Sequence, residues 1–155
     1  MTVPVAAEVA SGRAFGERLY PVLERERIPP SRILFEIAEP VLIRSGLKGS
    51  EFVKQVHTIG SGVVLSGCQG GWATLQAMKG LPIGFLKPAA GLATSAANGS
   101  DAAKRIIELM ADNAADADRE LVAPSLAAGD ATLAGLGFSY LERTEPVRLE
   151  EALSG

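Results

Sequence analysis

One cysteine, one histidine and one tryptophan occur in the 155 residues of this chain. With Cys68 alone there is no internal disulfide and no cysteine-built metal knuckle, which fits a reducing compartment. Thiolate chemistry needs a base alongside, and the lone His57 falls on a predicted helix whose residues point away from the strand ends, so a Cys68–His57 dyad is not expected. Basic residues are scattered singly: 15 Lys and Arg against 18 Asp and Glu give a net charge of −3. A nucleic-acid polymer needs a basic stripe or patch, so DNA and RNA are excluded as expected partners. No stretch approaches the roughly 20 apolar residues of a membrane span. The segment 2–9 also lacks the basic start and long apolar run of a secretory signal. No membrane insertion and a cytoplasmic location are therefore expected. Gly60-x-Gly62 is too short for a dinucleotide fingerprint and reads as a turn. The glycines of Ser66 to Gly71 are not followed by Lys-Ser/Thr, so they do not form a P-loop.

What the chain does have is apolar content, 47%, arranged as a repeating unit. A short β-branched or apolar run gives way to a polar or glycine-rich turn and then to a longer segment with helical spacing. Thr2 to Ala6 is the first run, followed by Phe15, Leu19 and Leu23 on one helical face. Pro29 and Pro30 stop that helix. Arg32 to Ile37 reads as a strand covered on both faces, and Ser50 is placed to cap a helix carrying Phe52, Val56 and Ile59 inward. Gly62 to Leu65 is the next strand, then the loop Ser66 to Gly71 and a short helix expected to bury Trp72, Leu75 and Met78. Strand Ile83 to Lys87 precedes a small-residue loop, Pro88 to Gly99. Asp101 to Ala117 is the longest predicted helix, with Ile106, Leu109, Met110 and Asn113 at helical spacing. Strand Glu120 to Ala123, a helix from Asp130 to Leu136, strand Phe138 to Leu141 and an amphipathic turn at Leu149 to Leu153 complete the series. Alternating strand and helix means an α/β fold with a mainly parallel sheet. Periodicity alone leaves an open doubly-wound sheet and a barrel equally available. A full barrel usually needs about 250 residues, so about six units here would make an incomplete barrel with uncovered strand edges.

Arg32-Ile-Leu-Phe-Glu36-Ile-Ala-Glu39-Pro40, preceded by Ile28-Pro29-Pro30-Ser31, is similar to the signature L-x-E-I-T-E-S and its G-L-P-P-E lead-in, a resemblance to the EAL-domain family of cyclic di-GMP phosphodiesterases. Val3 to Ala6 resembles V-S-V-N, and Leu65 to Leu75 aligns without a gap to L-D-D-F-G-T-G-Y-S-S-L. Leu81-Pro82 with Leu86-Lys87 resembles L-P-x-D-x-L-K-I-D, Leu121 to Ala123 stands where V-V-A-E-G-V-E belongs, and Leu136 to Tyr140 resembles L-G-C-D-Y. Intact members begin with strands carrying Y-Q-P-I and E-A-L-x-R, and neither stands upstream of Met1. The resemblance thus implies a single, truncated, degenerate EAL-like domain over residues 1–155, folded as an incomplete TIM-type barrel.

Members of that family activate water between two divalent metals, which needs several hard oxygen ligands at the C-terminal ends of the strands. By the resemblance, Ala6 replaces an asparagine, Ser66 and Gly67 replace paired aspartates, Ala89 another aspartate and Pro124 a glutamate. Glu142 stands at a glutamine position, and the stretch that follows it is shortened to Arg143 to Pro146. Glu36 is the one metal-shell carboxylate kept; Glu39 matches a residue supporting an active-site loop, and Lys87 the lysine near the attacking water. These three are expected to be vestigial, with Glu36 and Lys87 joined as an inward-facing ion pair. No metal or other cofactor and no catalytic residue is expected. Ser66, Gly67, Gln69, Gly70, Gly71 and Lys87 are the candidates for ligand binding through a loop at a helix start, whereas Trp72 is expected to pack in the core. The resulting expectation is an inactive regulatory or protein-interaction module in bacterial signalling, self-associating or docking a protein partner. The alternative is a metal-independent sensor of cyclic di-GMP.

Overall fold

A computed structural model of the chain describes residues 1–6, 10, 15–125 and 135–141. Six parallel strands follow one another in the sheet in chain order: β1 (Thr2–Pro4), β2 (Leu34–Ala38), β3 (Gly62–Cys68), β4 (Phe85–Pro88), β5 (Glu120–Ala123) and β6 (Tyr140–Leu141). A doubly-wound sheet reverses its strand order at a switch point. No reversal occurs here, so right-handed crossovers carry successive helices to one face, as in a barrel wall. The helices are α1 (Phe15–Arg25), α2 (Glu39–Ile59), α3 (Trp72–Met78), α4 (Ala90–Ala97) and α5 (Asp101–Asp116).

The register sorts side chains into two faces. Phe35, Val63, Ile37, Leu65, Leu86 and Leu121 point toward the helices and are buried. Phe35 meets Phe15 of α1 edge-on, with ring centroids 5.4 Å apart, and Phe52 of α2 at 6.5 Å. Such pairs stabilise beyond their buried area. On the opposite face lie Leu34, Glu36, Phe85 and Val122, half-buried, and Tyr140, exposed. Phe85 and Tyr140 touch there at 6.0 Å. A single hydrophobic cluster runs from Ala10 to Leu136.

All six expected strands form, with ends shifted by up to three residues. The helices need four corrections. First, α2 begins at Glu39, not at Ser50. Pro40 sits in the first turn, where its missing N–H costs nothing. Gly46, at φ 52 and ψ −122, kinks the helix without ending it. Ser50 is interior, its hydroxyl donating to the Gly46 carbonyl at 3.2 Å. Second, the segment expected as a loop from Pro88 contains α4, whose Ala93 and Ala96 are buried against α5. Third, the inward residues of α5 are Ala103, Ile107, Met110 and Ala114, so of the expected set Met110 is buried and Ile106 partly so while Leu109 and Asn113 face solvent, and Ser100 caps the helix by accepting the Ala103 N–H at 3.3 Å.

The fourth correction concerns α3, which buries Thr74 and Met78, one helical turn apart. Trp72 is 74% exposed and Leu75 is exposed as well. Their size misdirected the expectation. Thr74 turns inward because a buried carboxylate accepts its hydroxyl proton. The rest of the Asp130 to Leu136 segment, Glu142 to Pro146 and the turn at Leu149 to Leu153 lie outside the described residues, while Gly135 and Leu136 form a turn.

At the opposite end of the sheet from the strand C-termini, Arg119 ties the approach to β4. Its Nε donates to the Ile83 carbonyl at 3.1 Å and its Nη2 to the Met78 carbonyl at 3.2 Å. Burial lowers the pKa of this guanidinium. Nothing in the sequence signals the contact, since it joins positions more than 35 residues apart.

Candidate functional site

The C-terminal ends of β2, β3 and β4 bring the sequence-predicted residues into one neighbourhood. Glu36 lies in β2 and Lys87 in β4, with β3 between them. Strand alternation puts both on the face away from the helices. Lys87 Nζ donates to Glu36 Oε2 at 2.6 Å, and the two side chains are only 11% and 20% exposed. A charge-assisted bond this short, partly shielded from water, joins two strands that do not pair directly.

Glu39 takes a different direction. As the first residue of α2 it is buried, with its carboxylate turned beneath the loop after β3. Oε2 accepts the Gln69 backbone N–H at 3.1 Å, and Oε1 accepts the Thr74 hydroxyl at 2.9 Å. One acidic side chain thereby fixes both the loop and the first turn of α3. The amide of Gln69, counted in the sequence as a donor for a bound ligand, is already engaged by this carboxylate. Thr74 was absent from the candidate residues, and no local pattern points to a partner 35 residues away.

Ser66 and Gly67 belong to β3 and not to the loop. The register slips between Ser66 and Cys68, and Gly67, at φ 71, takes up the bulge. The loop proper is Gln69 to Gly71, whose Gly70 approaches Ile106 and Met110 of α5 so closely that a Cβ would meet Ile106 at 2.7 Å. Cys68 is fully buried and its thiol donates to the Leu65 carbonyl at 3.3 Å. Burial, with the Glu39 carboxylate adding to it, pushes the thiol from 9.0 up to about 12. Because the folded form holds this proton more tightly, the stability that Cys68 contributes is present below pH 9.0 and is lost as pH rises toward about 12. A thiol-reactive probe such as dithionitrobenzoate should leave Cys68 unmodified in the native protein at pH 8 and react fully in urea. Rapid labelling without denaturant would contradict this assignment.

Among the described residues, oxygen donors at this end are few. Ala6, Gly67, Ala89 and Pro124 offer no side-chain oxygen, Ser66 offers a neutral hydroxyl, Glu36 is paired and Glu39 faces inward. Glu120, the other carboxylate on the open sheet face, is three strand spacings from Glu36 in the same row, roughly 14 Å. Among the described residues no three His, Cys, Asp or Glu side chains are grouped as a metal ion requires. This donor set does not fit a pair of divalent cations.

The EAL domain family model matches residues 3–131. The chain belongs to the EAL domain family. No curated protein sequence matched it. Among solved structures, the EAL enzyme Bd1971 in a form bound to cAMP and cyclic di-GMP superposes with a TM-score of 0.78 at 18% identity, over 89% of this chain and 37% of that one. The Pseudomonas aeruginosa FimX EAL domain bound to cyclic di-GMP gives 0.80 at 17%, over 90% and 58%. The Xanthomonas citri FimX EAL domain with the same ligand gives 0.81 at 18%, over 90% and 56%. This EAL domain thus spans between 37% and 58% of the length of these three chains. The likeness settles the choice left open by periodicity in favour of a TIM-barrel-like wall. Among the described residues, no helix of this EAL domain is long and apolar enough to cross a membrane.

Proposed function

We propose that this EAL domain, acting as one unit over residues 1–155, is catalytically inactive and serves as a regulatory or protein-interaction module in bacterial cyclic di-GMP signalling. The observation that carries this reading is the set of side chains at the described strand ends, where Ala6, Gly67, Ala89 and Pro124 offer no oxygen and Glu36 contacts Lys87 Nζ at 2.6 Å. The one family metal-shell carboxylate identified in this sequence is neutralised by a cation of the chain itself, and the neighbouring strand ends carry Ala, Gly and Pro where further ligands are needed. The sheet, the aromatic packing and the buried Glu39 clasp are kept, so a scaffold persists without the donors. Incubation with cyclic di-GMP and magnesium or manganese, followed by chromatography of the products, tests this. No linear dinucleotide is expected, and turnover above a protein-free control sinks the proposal.

A second reading, metal-independent binding of cyclic di-GMP, draws support from the ligand-bound FimX relatives. In this chain its candidates are Ser66, Gly67, Gln69, Gly70, Gly71 and Lys87. Engagement of the Gln69 amide by Glu39 weighs against it. Calorimetric titration without metal separates the two, since micromolar binding establishes a sensor and absence of heat leaves the interaction module.

A further inference from the structure

Gly46 divides α2 into two segments that are held in different ways. In the second, Phe52, Val53 and Val56 are exposed by 1% or less and anchor the helix to the core. In the first, residues 39–45, Leu42 is the only buried apolar side chain, and Ile43 and Arg44 are exposed. The other fixed point of this first segment is the Glu39 carboxylate, which accepts from the Gln69 N–H and the Thr74 hydroxyl. Two turns of helix are thus attached by a clasp at the tip, by one leucine midway and by one glycine at the base. Beside them a groove of about 380 Å³, lined by Leu42, Ile43, Ala73 and Ala77 among others, leaves room on the flank toward α3.

The joint needs glycine for its backbone alone. At φ 52 and ψ −122, Gly46 lies outside the regions open to residues with a side chain. A Cβ there would meet nothing within 4 Å, so space does not select glycine. Glu39 stands about 10 Å from the joint, at about 1.5 Å per residue. A turn of about 20° at such a joint therefore shifts the carboxylate by about 3 Å, which takes it out of reach of both donors.

We propose that residues 39–45 form a lever hinged at Gly46, and that its swing works the Glu39 clasp as a latch on the loop 69–71. Closed, as in this structure, the latch withholds the Gln69 amide from the strand ends. Open, it releases that amide and the first turn of α3, while Gly70 stays against Ile106 and Met110. The latch is a property of the fold and goes beyond either reading of function.

Hydrogen exchange of the Gln69 N–H in the full chain reads the latch, with the Val53 and Val56 amides of the same sample as the reference for global opening. Gly46→Ala puts a side chain where the backbone does not accept one, and should speed exchange at Gln69 at least about tenfold relative to that reference. Glu39→Gln should do the same by weakening the acceptor directly. Because the glycine acts through the clasp, the double variant should exchange at Gln69 no faster than Glu39→Gln alone. Unchanged exchange in Gly46→Ala, protection lost equally at Val53 and Val56, or additive effects in the double variant overturns the proposal. Relaxation dispersion of the backbone nitrogens in the unmodified protein needs no variant to fold. Residues 41–47 and Gln69 should share one microsecond-to-millisecond exchange rate, with Val53 and Val56 flat. Dispersion at Gln69 without residues 41–47, or flat profiles at all of them, removes the hinge. Neither measurement involves cyclic di-GMP, so its outcome is separate from the turnover and titration experiments.

Discussion

Replacing Glu39 with alanine should lower the stability of this domain by about 3 kcal/mol, because the buried Thr74 hydroxyl and the partly buried Gln69 N–H lose one charged acceptor together. The Gln69 N–H and the Thr74 hydroxyl both end on this carboxylate, and neither has a second partner among the described residues. Glu39→Gln keeps the shape and one carbonyl oxygen, which still accepts from Thr74, but turns an NH2 toward the Gln69 N–H, donor against donor. It should cost about half as much. Thr74→Val removes the hydroxyl with little change of volume and should cost about 1 kcal/mol. Urea denaturation of the three variants measures this order directly, and an unshifted midpoint for Glu39→Ala would show that the clasp contributes nothing. Glu39 begins α2 and Thr74 lies in the first turn of α3, so the clasp also ties these two helices together.

Strands were legible because their signal is local. Runs such as Leu34–Ala38 and Gly62–Cys68 are short, apolar and bounded by turn residues, and parallel pairing buries them whatever the partner strand is. Strand order was not legible, since nothing in period-two alternation distinguishes a barrel wall from a sheet wound both ways. The helices show where local rules give way. Pro40, Gly46 and Gly49 look like breakers, yet a first-turn proline is harmless and Gly46 absorbs a kink, so α2 runs from Glu39. Helix α4 lacks an apolar stripe to detect, because alanine packs closely enough against α5 to need none. Size misled at Trp72, which stands 74% exposed while the smaller Thr74 is buried. At the site, Glu36 and Lys87 were identifiable from the family resemblance of the segments that carry them, and the parallel register then puts them on one face. The clasp by Glu39 was not, since a threonine 35 residues away becomes a partner only when β3 returns beside β2.

Removing the ammonium from the Glu36–Lys87 pair should be nearly as costly as removing the clasp. In Lys87→Met the Glu36 carboxylate stays on the sheet with its side chain only 20% exposed and without its cation. Full burial of an orphaned charge costs several kcal/mol, and partial access to water reduces this to about 2 kcal/mol here. Lys87 makes further contact besides this pair, so the single variant alone does not isolate the ionic part. The double variant Glu36→Leu/Lys87→Met does, because it replaces both charges by apolar groups of similar length. If desolvation and attraction nearly cancel in this pair, the double variant should lie within about 1 kcal/mol of wild type and above Lys87→Met. Thermal unfolding of the four proteins closes the cycle, and equal stability of wild type and Lys87→Met would remove the pair from the account. The same Lys87→Met protein sharpens the functional reading. It frees Glu36 from its internal cation, yet one carboxylate beside Ser66, Gly67 and Pro124 still cannot hold two divalent ions. Manganese should therefore bring it neither turnover of cyclic di-GMP nor a two-ion signature in its electron paramagnetic spectrum. Appearance of either would mean that Lys87, and not the missing oxygens, keeps metal from this site.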